Sequence, residues 1–179
     1  MAKVLFTLVA SLIFVLALSV SATPAHHAHA HAHAHSAADQ EPESFTVEGI
    51  VYCDTCRVMF PTRISNKLGE AEVKLTCRGA ENGTTTYEAK GHTQSDGTYS
   101  LMVSGDHEDE ICEVSVVSSP ESDCNEVADQ IKTARVTLTR NSGIQEQTRY
   151  VNPIGFVRKN ALTDCLEVLD ELGFVPINN

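Results

Sequence analysis

Two cysteines stand two residues apart in the stretch Val47 to Arg57, VEGIVYCDTCR. That spacing serves three kinds of chemistry: a redox-active thiol pair, half of a zinc site, or two unrelated structural bridges. A redox pair needs its first thiol acidified, typically at a helix N-terminus in a βαβ setting. Cys53 instead ends a strand-like run, and no helical period follows Cys56. Zinc needs four ligands. Cys77, Cys112, Cys124 and Cys165 are each isolated, and outside the tract at 26–35 the histidines are His92 and His107. Both reactive readings therefore give way to structural bridges.

Other constellations are weaker. There is no G-x-S-x-G and no H-E-x-x-H. The two domain histidines read as surface residues, and no nucleophile or cofactor site emerges. The run SGDHEDEI, Ser104 to Ile111, is the strongest charge cluster. It could take Ca²⁺ through its carboxylates, but it lacks the EF-hand spacing and glycine. A solvated hairpin loop between two strands is the preferred reading. Asn82-Gly83-Thr84 is an N-glycosylation sequon on a turn.

Histidines also alternate with alanine at His26, His27, His29, His31, His33 and His35. In an extended chain the alternating rings share one side, and in a helix i,i+4 pairs meet. Divalent metal binding is thus possible chemistry for the tract, and a low-complexity spacer is the simpler reading. Free imidazole has a pKa of about 6.5, so in an acidic exterior the tract would be a cationic stripe.

These groups must be held by something, and the chain's organisation says what. Lys3, an apolar run from Val4 to Val20 and small residues at Val20-Ser21-Ala22 read as a secretory signal peptide over 1–22. An uncleaved anchor is the alternative, disfavoured by the small, polar flank. No later stretch is apolar for the ~20 residues of a membrane span. Residues 23–44 read as a disordered His/Ala-rich linker. Residues 45–179 suffice for one domain. Acids outnumber bases 24 to 13, for a net charge of −11. That balance argues against nucleic acid and against anionic membrane surfaces.

All six cysteines follow the expected cleavage site, and an even count in an exported chain favours disulfides. Sequence alone leaves fifteen pairings. Phase narrows one of them. Val73, Leu75 and Cys77 share one face of a strand, and Cys112, Val114 and Val116 share one face of another. Two inward cysteines on strands of one core can bridge.

Period-2 alternation also marks 45–53, 97–103 and 134–140, and more weakly 84–90, with turns at Asp96-Gly97 and Glu81-Asn82-Gly83. This predicts an all-β sandwich or barrel of antiparallel strands. Leu162, Cys165, Leu166, Leu169 and Leu172 recur at helical spacing and predict a short C-terminal helix. Asn160 or Thr163 would cap it, and Gly173 and Pro176 would end it.

The stretch Gly49, Ile50-Val51-Tyr52, Cys53-Asp54-Thr55-Cys56-Arg57 resembles the signature of the olive-pollen major allergen-like proteins, the plant pollen allergen and extensin family. TRIS at Thr62 to Ser65, Glu70 to Cys77, GDHEDEICEV at Gly105 to Val114 and NPIGF at Asn152 to Phe156 extend the likeness. The resemblance implies a seven-stranded antiparallel β-barrel or sandwich stapled by three disulfides. Carried over by cysteine order, these are Cys53–Cys124, Cys56–Cys165 and Cys77–Cys112. It further implies a secreted, often glycosylated protein without enzymatic activity or cofactor, in pollen or other reproductive or growing tissue. The partner expected from the family is a receptor kinase ectodomain, which the acidic stretch Asp106 to Glu110 could contact. The alternative is a wall protein in the apoplast, whose His tract binds pectic polysaccharide or divalent metal. The tract has neither the lysines nor the proline repeat of extensin-like arms, so that route depends on imidazole protonation.

Overall fold

A computed structural model describes residues 44–174. The expected signal peptide, the His tract and the rest of the expected linker before Ser44 lie outside the described residues, and Ser44 opens the first strand. Among the described residues no helix is long and apolar enough to cross a membrane.

Strand β1 (Ser44–Asp54) is the axis of the first sheet. Its first half alternates: Phe45 and Val47 are buried, while Thr46 and Glu48 are half-buried. That half pairs antiparallel with β5 (Thr98–Ser104) and, on its other edge, parallel with β8 (Thr148–Tyr150). Its second half pairs antiparallel with the two-residue β2 (Asn66–Lys67) and parallel with β9 (Ile154–Val157). Here Val51, Tyr52, Cys53 and Asp54 are all buried. Val51 and Cys53 face the main core, while Tyr52 packs with Ile131 and Val157 in a smaller cluster. A strand covered on both faces loses the period-2 signature.

The second sheet runs β4–β3–β6–β7, antiparallel throughout. Its strands are β3 (Glu72–Gly79), β4 (Thr85–His92), β6 (Glu110–Ser118) and β7 (Thr133–Val136). Val73, Leu75, Cys77 and Val114 face the first sheet across the core. Its outer face carries a lattice of opposite charges. Lys74 and Lys90 sit directly opposite one another in register. Each turns diagonally to a carboxylate: Lys74 to Glu88 and Lys90 to Glu72, both at 3.1 Å. Diagonal neighbours are within reach on a pleated face, so the like-charge pair is relieved.

The architecture corrects two expectations. The described residues form nine strands, not seven, in two sheets that do not close into a barrel. The pairing is not wholly antiparallel, because β8 and β9 both run parallel to β1. The chain between β7 and β8 crosses over and re-enters beside β1 in the same direction, as a parallel pair requires.

The short helix α1 (Cys165–Glu171) is present, but neither expected cap holds it. Its N-cap is Asp164, whose side chain makes no capping bond. Its buried face is Cys165 and Val168, while Leu166 and Leu172 point to solvent at 68% and 52% exposure. Gly173 does end it, at φ +81°, with its N–H on the Asp170 carbonyl.

Candidate functional site

The Cys-x-x-Cys segment is a braced turn. Cys53 leaves the end of β1 inside the core and bridges to Cys124; Cys56 bridges to Cys165 at the start of α1. Cys77 and Cys112 are directly opposed on β3 and β6, and they form the third bridge. No cysteine is free, so no thiol remains for redox or metal chemistry in this state.

The residues between the cysteines explain their own types. Arg57 and Met59 both adopt left-handed backbone, at φ +59° and +66°. Such conformations are costly for residues with a Cβ and persist only where surroundings fix them. Asp54 does the fixing. Its fully buried carboxylate accepts the N–H of Cys56 at 3.1 Å and that of Met59 at 2.7 Å. Thr55 Oγ1 donates to the Ile64 carbonyl at 3.1 Å. Arg57 then ties the turn to distant chain, donating from Nη1 to Glu126 Oε2 at 2.6 Å and to the Arg158 carbonyl. Asp54, Thr55 and Arg57 thus each spend side-chain hydrogen bonds on the geometry of this turn.

The second constellation lies at the tips of the β3–β4 hairpin and the β5–β6 loop. The Ala80 N–H donates to the Asp109 carbonyl at 3.2 Å and joins the two tips. Between them lies a depression of about 610 Å³, walled by Glu81, Glu108, Asp109 and Glu110 beside Asn82. Asn82 is exposed, and its Oδ1 accepts the Thr84 N–H at 2.9 Å in the sequon turn.

One residue corrects the sequence reading. His107 is not a surface residue; it is 8% exposed and plugs the loop from below. Its Nδ1 lies 2.8 Å from Glu110 Oε2, its Nε2 lies 3.2 Å from the Ser104 carbonyl, and Tyr87 meets its ring edge-on at 5.2 Å. Its backbone N–H donates to the Leu138 carbonyl. Burial alone would raise the Glu110 carboxyl. Hydrogen bonds from the Thr86 hydroxyl and His107, with the His107 charge, hold it below the usual range instead. Ligand atoms of Cys77, His107, Glu110 and Cys112 all lie within 4.8 Å of one another. Two of the four are disulfide sulfurs, so His107 and Glu110 are the ligands left, fewer than zinc requires. Asp106, Glu108 and Asp109 remain at the surface as the solvated rim.

Sequence reasoning missed Asp54, His107 and also Arg149. The last is 3% exposed and lies over the Phe45 ring at 4.8 Å, with Nη2 on the Thr139 carbonyl at 3.2 Å. Alternation in a three-residue strand is too short to reveal an inward arginine.

Comparison with known proteins follows the same residues. A family model described as "Pollen protein Ole e 1 like" matches residues 43–173. The "Anther-specific protein LAT52" of Solanum lycopersicum is 47% identical over 136 residues, spanning 76% of this chain and 84% of that protein. "Pollen allergen Che a 1" of Chenopodium album is 46% identical over 143 residues, spanning 78% and 85%. The crystal structure of the major plantain pollen allergen Pla l 1 superposes with a TM-score of 0.61 at 36% identity, over 68% of this chain and 99% of that one.

Proposed function

Because the chain belongs to the pollen Ole e 1-like family, we propose that it is a secreted, non-enzymatic glycoprotein that acts as a ligand or modulator of a cell-surface receptor in plant reproductive or growing tissue. The observation that carries this reading is the acidic end of the sandwich. Asp106, Glu108 and Asp109 project from a loop whose root is pinned by buried His107 and its partner, half-buried Glu110. A rigid scaffold that displays a charged loop is the usual way a small domain presents a binding surface. Its charge would steer it toward a basic rim on the partner.

Three bridges support an oxidising exterior. The names of the anther-specific and pollen relatives support the tissue. The fate of the CDTCR side chains supports a non-enzymatic role, since each is spent on holding a turn. The test is affinity capture from plant membranes, with a charge-neutral variant (Asp106→Asn, Glu108→Gln, Asp109→Asn) beside the native chain. A receptor-kinase ectodomain retained by the native chain and lost by the variant is the expected result. Equal retention by both, or no receptor above background, overturns the reading.

A further inference from the structure

The flank of β1 opposite β5 has a gap. Pairing with β8 stops at Glu48↔Tyr150, and pairing with β9 starts at Val51↔Ile154. Between them Val151, Asn152 and Pro153 make a detour, so Gly49 and Ile50 have no strand partner on that side. The detour leaves a groove of about 340 Å³ over the strand. That lies at the small end of the range of ligand pockets.

We propose that this groove binds one residue of a neutral saccharide, stacked on Tyr150. The ring of Tyr150 stands at the rim with 80% of its surface exposed, the most open of the large apolar residues described. An aromatic face is electron-rich, and the axial C–H groups of a pyranose present a weakly positive apolar face to it. The edge of a pyranose is a ring of hydroxyls, each both donor and acceptor. The groove answers with groups of both kinds: the Glu48 carboxylate, the Gln94 amide and the Thr98 and Ser100 hydroxyls, set among Ile50, Val151 and Pro153. Its one ionised lining group is acidic. A uronate or phosphate would meet like charge there, so the ligand is neutral.

Tyr99 belongs both to the groove's lining and to the main core beneath it. It lines the same groove, is 2% exposed, and its hydroxyl has no hydrogen-bond partner among the described residues. A buried hydroxyl left unsatisfied is costly, and a phenylalanine of the same shape would avoid the cost. Gly49 makes the arrangement possible, because a Cβ there would lie 2.3 Å from the Tyr99 oxygen.

The experiment is amide-resolved NMR titration of the native, disulfide-bonded chain with lactose, cellobiose and xylobiose, and with digalacturonate as the charged control. Saturable shifts centred on Gly49, Thr98, Ser100 and Tyr150 are expected with at least one neutral disaccharide, with Kd in the millimolar range. Tyr150→Ala should weaken that binding about tenfold, since it removes the stacking face. Tyr99→Phe should leave that binding unchanged and the melting temperature equal or higher, because the hydroxyl is sealed from the groove. The proposal is overturned if no neutral disaccharide gives saturable shifts, if digalacturonate binds as tightly as they do, or if Tyr150→Ala, shown folded by its own spectrum, binds as the native chain does. None of these outcomes depends on a receptor, so this site and the acidic loop stand or fall separately.

Discussion

Asp54 accepts the backbone N–H of Met59 at 2.7 Å, across a turn in which Met59 itself is left-handed at φ +66°. A carboxylate between two disulfide cysteines thus does conformational duty. Asp54→Ala removes the acceptor for two buried N–H groups and should cost about 3 kcal/mol. Urea denaturation followed by far-UV circular dichroism measures it, and a midpoint matching the native chain's would show that the turn holds itself.

The acidic end has a pH signature. The folded Glu110 carboxyl is depressed, so its contribution to stability is fully present above the unfolded glutamate value of about 4.3. It is lost as pH falls through the lower folded value. Acid unfolding of Glu110→Gln should therefore show a shallower dependence over that interval than the native chain. Superimposable acid profiles would remove Glu110 from the account.

Tyrosine titration gives an alkaline counterpart. Burial first, and then the nearby Asp54 charge, push the Tyr52 phenol up to about 12. A folded value above the unfolded one, about 10, favours the folded state below pH 10 and loses that advantage as pH rises toward 12. Tyr99 is displaced in the same direction by burial. Tyr52 and Tyr99 should therefore add a late rise in phenolate absorbance, above pH 10 and together with unfolding. A single stage near pH 10 with the fold intact would contradict the burial of both rings.

The bridge that fixes α1 spans 109 residues of chain, from Cys56 to Cys165. Replacing both cysteines by serine should lower stability by about 5 kcal/mol in the chain-entropy picture. It should also free the helix, which otherwise buries only Cys165 and Val168. Limited proteolysis read by mass spectrometry should then remove the chain after Leu162 first. A helix equally protected in the variant would show that packing, not the bridge, secures it.

What the sequence disclosed follows from how each element is covered. β3 and β5 each bury one face, so Val73, Leu75 and Cys77, or Tyr99, Leu101 and Val103, alternate visibly with polar neighbours. β9 was not visible because Ile154, Gly155, Phe156 and Val157 are all buried, and a run without contrast has no period. Sandwich and barrel could not be told apart for a related reason. Closure depends on what the three-residue β8 and four-residue β9 pair with, and such short strands carry no register signal. In α1 the leucine repeat misled about rotation: the bridge at Cys165 turns Val168 inward and leaves Leu166 outside. His107 was hidden by its company, for four acidic neighbours made a buried imidazole look like part of a solvated loop. The Asp54 brace left no trace in composition or period, because its partners are backbone groups.

The two bridges that diverge from the Cys-x-x-Cys turn overlap along the chain, one running from Cys53 to Cys124 and the other from Cys56 to Cys165. Every peptide bond between Cys53 and Cys165 therefore lies inside at least one covalent ring. A protease that nicks any exposed loop in that span produces no separate fragments; the cut molecule keeps its mass, gaining one water, until a reductant opens the sulfurs. A single cut in an oxidising exterior can thus score this protein without dispersing it, and its surfaces outlast the continuity of its backbone.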